Sequence, residues 1–346
     1  MVFHTPLGSH PMINCTNLLS HNVSSVENSI RFSQPPFYTF AVMFTKLYEY
    51  NDVDDKASLT LASKNESDWK VYDLSDVEWD SANDTSNVQL NQVEFRLSKN
   101  GTINFHEHGY LSFKLQLSNV TDRGSILPHL EFSANSTLID FSLNDIEPTF
   151  PNSRFALEMT LVTSNKSTGT QTLTNYRSID DEHSPGVFEV VDWLASSDLK
   201  ASAAYLQWKS VCYKKDVRSV QTSTDVVKYD LESTNATTNM TVALAYFGNK
   251  LLTPGTLLMM RATNVSFGQS KDHFYASTNY SAWSFTIGYG FPPKERISIL
   301  IILVISIGLG LPVLLMLAGG IYMCVKRRAS SSFNGGDLTS SYQQIN

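Results

Sequence analysis

The sequence predicts a mainly β, sandwich-like luminal ectodomain with few short helices, followed by one C-terminal transmembrane helix. Three observations carry that reading. Period-two alternation of apolar and polar residues recurs before residue 290, long helical patterns are scarce, and one uninterrupted apolar run stands near the C-terminus. At 42% hydrophobic and 17% charged residues, the chain is too apolar for disorder and too uncharged for a long coiled coil. A net charge of −7 gives no general basic face for phosphates, so nucleic acid is not a partner. Three cysteines are too few for a disulfide-dense mini-scaffold.

The strands come first along the chain. Val93, Phe95 and Leu97 share one face of VEFRLS, and Leu111, Phe113, Leu115 and Leu117 share one of YLSFKLQLS. Phe155, Leu157, Met159 and Leu161 do the same in FALEMTLVT. In WSFTIGYGF, Trp283, Phe285 and Ile287 face one way, Ser284 and Thr286 the other. Asn100-Gly101, between two such runs, signals a type I′ hairpin. The best helical candidate is VFEVVDWLASS from Val187, with Ser184-Pro185 ahead as cap and first turn. Short strands with polar turns point to sandwich packing, a mixed α+β domain being the alternative. The polar, Thr-rich stretch 165–175 divides the ectodomain into regions 1–170 and 171–291. Residues 292–296 form a short stalk, stiffened by Pro292-Pro293, so the ectodomain is expected to sit down on the membrane or on a neighbour in it.

The span reads from Ile297 to Val325, 29 residues without a formal charge. At about 1.5 Å per residue it exceeds the roughly 30 Å hydrocarbon core of a bilayer. Lys326, Arg327 and Arg328 follow at once as a stop-transfer cluster, which places tail 326–346 in the cytosol and the ectodomain in a lumen or outside. The charge split agrees: three bases against Asp337 leave the tail at +2, and 23 bases against 32 acids leave the rest at −9. The first ten residues, MVFHTPLGSH, show neither a basic n-region nor an apolar h-region, although this topology requires translocation. Ser306 and Gly310 make a small-xxx-small pair that lets a second helix approach. Pro312 frees the carbonyl of Gly308, where the missing side chain limits the ring clash.

N-x-S/T acceptors occur at Asn14, Asn22, Asn65, Asn83, Asn100, Asn119, Asn135, Asn165, Asn235, Asn239, Asn264 and Asn279. Chance at this composition predicts roughly five. All twelve precede the span, on the side where glycosylation occurs. Such a coat shields against proteases and suits a degradative compartment. The tail ends in SSYQQIN, where Tyr342 and Ile345 form a tyrosine-plus-bulky-apolar sorting signal of the kind clathrin adaptors bind as an extended strand.

Chemistry is sparse. Asp180, Asp181, Glu182 and His183 could bind a cation or act in acid–base catalysis, but a solvated turn before Pro185 accounts for them better. His106 and His108 lack an evident third ligand. No G-x-S-x-G, H-E-x-x-H, P-loop or dinucleotide glycine motif is present. The expectation is a non-enzyme with no catalytic, metal or cofactor site. Cys212 reads as a buried or paired thiol despite Lys214 and Lys215 nearby, and Cys324 at the cytosolic edge of the span is a palmitoylation candidate.

The order MFTKLYEYND, YDLSDVEW, SIDDEHSPGVFEV, LQWKSVCY, YSAWSFTIGYGFPP, the span and YQQIN resembles the glycosylated lysosomal membrane protein family. The resemblance runs from about Asn14 to Asn346. It implies an accessory role: binding a lysosomal major-facilitator transporter of dipeptides, shielding it from proteolysis and supporting its residence in lysosomes. It also implies that a leader and further ectodomain precede Met1, because INCTNLLS resembles a segment well inside the family's ectodomain. The family's ectodomain carries paired cysteines, whereas this chain has only Cys15 and Cys212 before the span and Phe155 where a family cysteine is expected. Whether Cys15 and Cys212 pair stays open at the level of sequence. The rival readings are a cell-surface adhesion or receptor ectodomain and, less well supported, a luminal hydrolase.

Overall fold

The computed structural model describes all residues except 19–22, 63–64, 75–76, 78, 82–90, 99–101, 165–168, 181–185, 197–201, 236–240, 254–257, 295–298 and 334–346. Its longer strands are β1 (Tyr38–Asn51), β2 (Trp69–Asp73), β3 (Gln92–Leu97), β4 (Phe105–Leu117), β5 (Ser136–Ile146) and β6 (Ser153–Ser164). There follow β7 (Thr170–Asp180), β8 (Gly186–Ser196), β9 (Ala203–Tyr213), β10 (Ser223–Lys228), β11 (Leu258–Phe267) and β12 (Tyr280–Tyr289). The helices used below are α1 (Thr241–Phe247) and α2 (Ile299–Phe333). The chain divides into two units, Met1–Ser178 with Val187–Glu295, and Ile179–Gly186 with Arg296–Asn346.

One curled antiparallel sheet builds the first unit, and its two halves face each other. The first layer runs β2–β1–β6–β11–β10, and the second runs β3–β4–β5–β12–β9–β8–β7. The corner is β10, whose Ser223–Asp225 half pairs with β9 while Val226–Lys228 pairs with β11. Strands from either side of residue 170 therefore share the sheet: β6 pairs both with β1 and with β11.

The core lies between the layers because alternation turns one face of each strand inward. Phe155, Leu157, Met159 and Leu161 of β6 meet Phe113, Phe141, Trp193, Trp208, Trp283 and Phe285 of the opposite layer in one cluster. Phe44 bridges the layers, its ring 4.8 Å from Phe113 and 5.4 Å from Phe285. The alternation in FALEMTLVT and WSFTIGYGF holds, yet their other faces are buried too. Ala156 and Val162 are covered by Leu59 and by α1, and Ser284 and Thr286 by loops. At the sheet edge the pattern runs out: Leu97 and Leu111 are buried, while Val93, Phe95 and Leu117 are exposed.

One expectation fails. The stretch from Val187 is a strand, β8, and not a helix. Val190, Val191 and Trp193 suit a pleated surface, and seven consecutive pairs with β9 outweigh the local cap signal. Ser184-Pro185 lies outside the described residues, as does Asn100-Gly101, although the runs it joins, β3 and β4, do pair antiparallel.

Candidate functional site

The membrane segment is α2. Residues Ile302–Ala329 are long and apolar enough to cross a bilayer, about 42 Å at 1.5 Å per residue. The helix continues past Val325 to Phe333 and includes Lys326, Arg327 and Arg328. Lys326 Nζ lies 6.0 Å from the Tyr322 ring. Pro312 is inside the helix, and a Cβ added at Gly308 or Gly310 meets nothing, so the surface beside Ser306 is open to close approach. Cys324 is exposed. Tyr342 and Ile345 lie outside the described residues.

Five acceptor asparagines, Asn14, Asn65, Asn119, Asn135 and Asn235, are exposed. Asn264 and Asn279 are half-buried, and Asn22, Asn83, Asn100, Asn165 and Asn239 lie outside the described residues. Asn264 sits in mid-β11 with its Oδ1 buried and unpartnered, and the hydroxyl of its triplet, Ser266, is bonded to Tyr50 at 2.5 Å. Asn279 holds a left-handed φ of 51° in the turn before β12, its carbonyl accepting from Tyr275 Oη.

The outer face of the second layer is polar but covered. Gln207, Lys209, Asp192, Asp140, Ser284 and Thr286 point outward from its central strands. Lys209 donates to the Pro128 carbonyl at 2.9 Å, and Arg218 Nη1 to Leu127 O at 2.6 Å, Ser284 Oγ at 2.7 Å and Asp140 at 3.1 Å. Pro293 of the predicted stalk lies on this face. Gly290, at φ 92°, turns the chain back, and Gln207 Nε2 donates to Pro293 O at 3.0 Å and to Asp192 at 2.9 Å. Burial raises the Asp192 pKa, against the lowering by Gln207 and Lys294.

The amino-acid sequence matches known proteins. The family model for "Glycosylated lysosomal membrane protein" matches residues 1–330. A Xenopus laevis glycosylated lysosomal membrane protein B is 33% identical over 327 residues, covering 92% of this chain and 78% of that protein. The Danio rerio relative is 33% identical over 301 residues, 85% and 70% of the two chains, and the human one 25% over 312, 89% and 71%. The chain belongs to the glycosylated lysosomal membrane protein family. Among the described residues α2 is the one helix long and apolar enough to span, which fits a single-pass lysosomal membrane glycoprotein. The family's name carries no enzymatic activity.

For a glycosylated lysosomal membrane protein the buried ion network is the feature that sequence reasoning missed. Arg154 of β6 is 2% exposed and holds three carboxylates: Asp52 at 2.7 Å, Asp272 at 2.7 Å and Asp55 at 2.8 Å. Phe274 lies over the guanidinium at 5.1 Å, and Thr224 donates to Asp272. Burial opposes the Arg154 charge, but the bonds to Asp272, Asp52 and Asp55 outweigh it and raise the pKa. The Lys271 backbone N–H, then Arg154, hold Asp55 below the usual carboxylate range. The network pins loops 52–57 and 268–273, where Asp55, Ala57, Lys271 and His273 adopt positive φ. A legible signal existed: an arginine beside four alternating apolar residues must be paired if the strand is buried.

The other expected clusters do not assemble. His106, Glu107 and His108 are exposed at the start of β4. Asp180 ends β7, and the Asp181–His183 stretch lies outside the described residues. Cys15 is exposed and Cys212 buried, and both are free thiols. Burial pushes the Cys212 thiol up to about 12, so at neutral pH it is neither nucleophile nor ligand.

Proposed function

We propose that this protein is a non-enzymatic accessory subunit of the lysosomal membrane, with its ectodomain luminal and its tail cytosolic. It binds a multi-span transporter of the major-facilitator type through α2 and the membrane-proximal luminal region, protects that transporter from proteolysis and supports its lysosomal localisation. The observation that carries this reading is the pairing of one membrane helix with a glycan-acceptor surface on the folded domain. A lone span cannot enclose a transport path, and its open Ser306–Gly310 surface suits a helical neighbour. Tyr342 and Ile345 address the protein to clathrin adaptors.

Deletion tests it. Loss of the protein shortens the transporter's lifetime in lysosomes, and inhibitors of luminal proteases restore it. The transporter also co-purifies from mild detergent. A transporter whose loss persists under protease inhibition contradicts the protective role.

A further inference from the structure

We infer that the first sugar of an N-linked glycan on Asn119 docks in the cleft beside it, an N-acetylglucosamine subsite built into the folded domain. The inference rests on the luminal placement proposed above, without which no glycan is added, and is independent of the accessory role. An open cleft of about 510 Å³ lies where β3 begins and β4 ends, and Asn119 itself is part of its lining. Concave sites of this order, with apolar walls and a few convergent polar groups, hold small ligands.

The local chain holds the acceptor at the rim. The Leu117 N–H, at the end of β4, donates to the Asn91 carbonyl at 2.8 Å. The Ser118 hydroxyl then donates to Val120 O at 2.8 Å and accepts from the Val120 N–H at 3.2 Å, clasping the backbone around Asn119. Across the cleft, Asp122–Arg123 pairs with Glu131–Phe132. Phe132 is buried against Leu130 and Leu138, which gives that side a fixed wall.

The lining suits a sugar that carries an acetamido group. Gln92 and Gln116 stand opposite each other on neighbouring strands, and both are half-buried in the cleft. Among the described residues nothing hydrogen-bonds either side-chain amide. Each offers a carbonyl acceptor and two N–H donors, which match the hydroxyls and the amide of N-acetylglucosamine. Leu117 and Val120, 51% and 57% exposed, supply apolar surface for the C–H face of the ring. Covalent attachment at Asn119 makes docking intramolecular. The effective concentration of a short tether then holds a contact too weak to capture the free sugar.

The test uses the full chain from secretory cells in mild detergent. Peptide N-glycosidase is added without denaturation, and release at each acceptor is followed by mass spectrometry. Two retained hydrogen bonds make release at Asn119 about tenfold slower than at Asn135, which is exposed and outside the cleft lining. Gln92→Ala with Gln116→Ala brings the Asn119 rate up to that of Asn135 and leaves Asn135 unchanged. Thr121→Ala, which abolishes the acceptor triplet and keeps Asn119, lowers the melting temperature by about 2–4 °C in the native chain and not in the glutamine variant. Three results overturn the inference: an Asn119 without glycan, equal release at the two sites (as when a partner or another stretch of chain fills the cleft), or a Thr121→Ala loss that persists in the glutamine variant. An ectodomain without glycan at any acceptor overturns the luminal placement as well.

Discussion

Replacing Arg154 by Met removes the charge of the buried network while keeping much of its volume. Asp52 and Asp272, each 2.7 Å from the guanidinium and buried, lose their cation together. Breaking a buried ion pair from one side costs about 3–5 kcal/mol, which for a domain of this size lowers the melting temperature by about 6–20 °C at neutral pH. Asp55 is too exposed to add to that figure. In the native protein Asp55 has a lowered pKa, so its contribution is present above the unfolded carboxylate pKa and is lost only as pH falls through the folded one. Thermal unfolding of the full chain in detergent at neutral pH reads the loss. A deficit below about 1 kcal/mol refutes the reasoning. Adding Asp52→Asn and Asp272→Asn to Arg154→Met restores part of the loss.

Asp192 gives the opposite experiment. Its raised pKa means that the folded state binds its proton more tightly, so the charge destabilises at neutral pH and the cost disappears as pH falls through the folded value. Asp192→Asn, which keeps an acceptor for Gln207, raises the melting temperature at neutral pH and leaves it unchanged in acid. Asn65→Gln removes one glycan by gel mobility, whereas Asn264→Gln leaves mobility unchanged, because the Asn264 Oδ1 and the Ser266 hydroxyl are buried. Trp283→Ala empties the middle of the core and costs about 3–5 kcal/mol, measured by denaturant unfolding. Tyr342→Ala sends the protein to the cell surface by surface biotinylation, whereas a resident surface receptor only internalises more slowly.

The layers and the span were legible because each rests on a local period. Alternation in FALEMTLVT and WSFTIGYGF fixes which side faces the core, and an uncharged run longer than a bilayer needs no tertiary context. β8 was misread because Ser184-Pro185 is a local signal, while the seven pairs to β9 that decide its conformation come from residues 203–209. The sequence signalled that Arg154 needs a partner, but which carboxylates supply it was illegible for the same reason. Its partners are separated from it by 102, 99 and 118 positions and meet only when β1, β6 and the 268–273 turn are assembled. The stalk composition was readable, but the hydrogen bond from Gln207 that lays Pro293 on the sheet was not.

The most direct measurement is protease and glycosidase access in intact lysosomes carrying the protein with an epitope after Asn346. The account predicts that added protease removes the epitope while the glycosylated ectodomain stays intact until the membrane is permeabilised. An epitope protected in sealed lysosomes, or an ectodomain cleaved before permeabilisation, contradicts it.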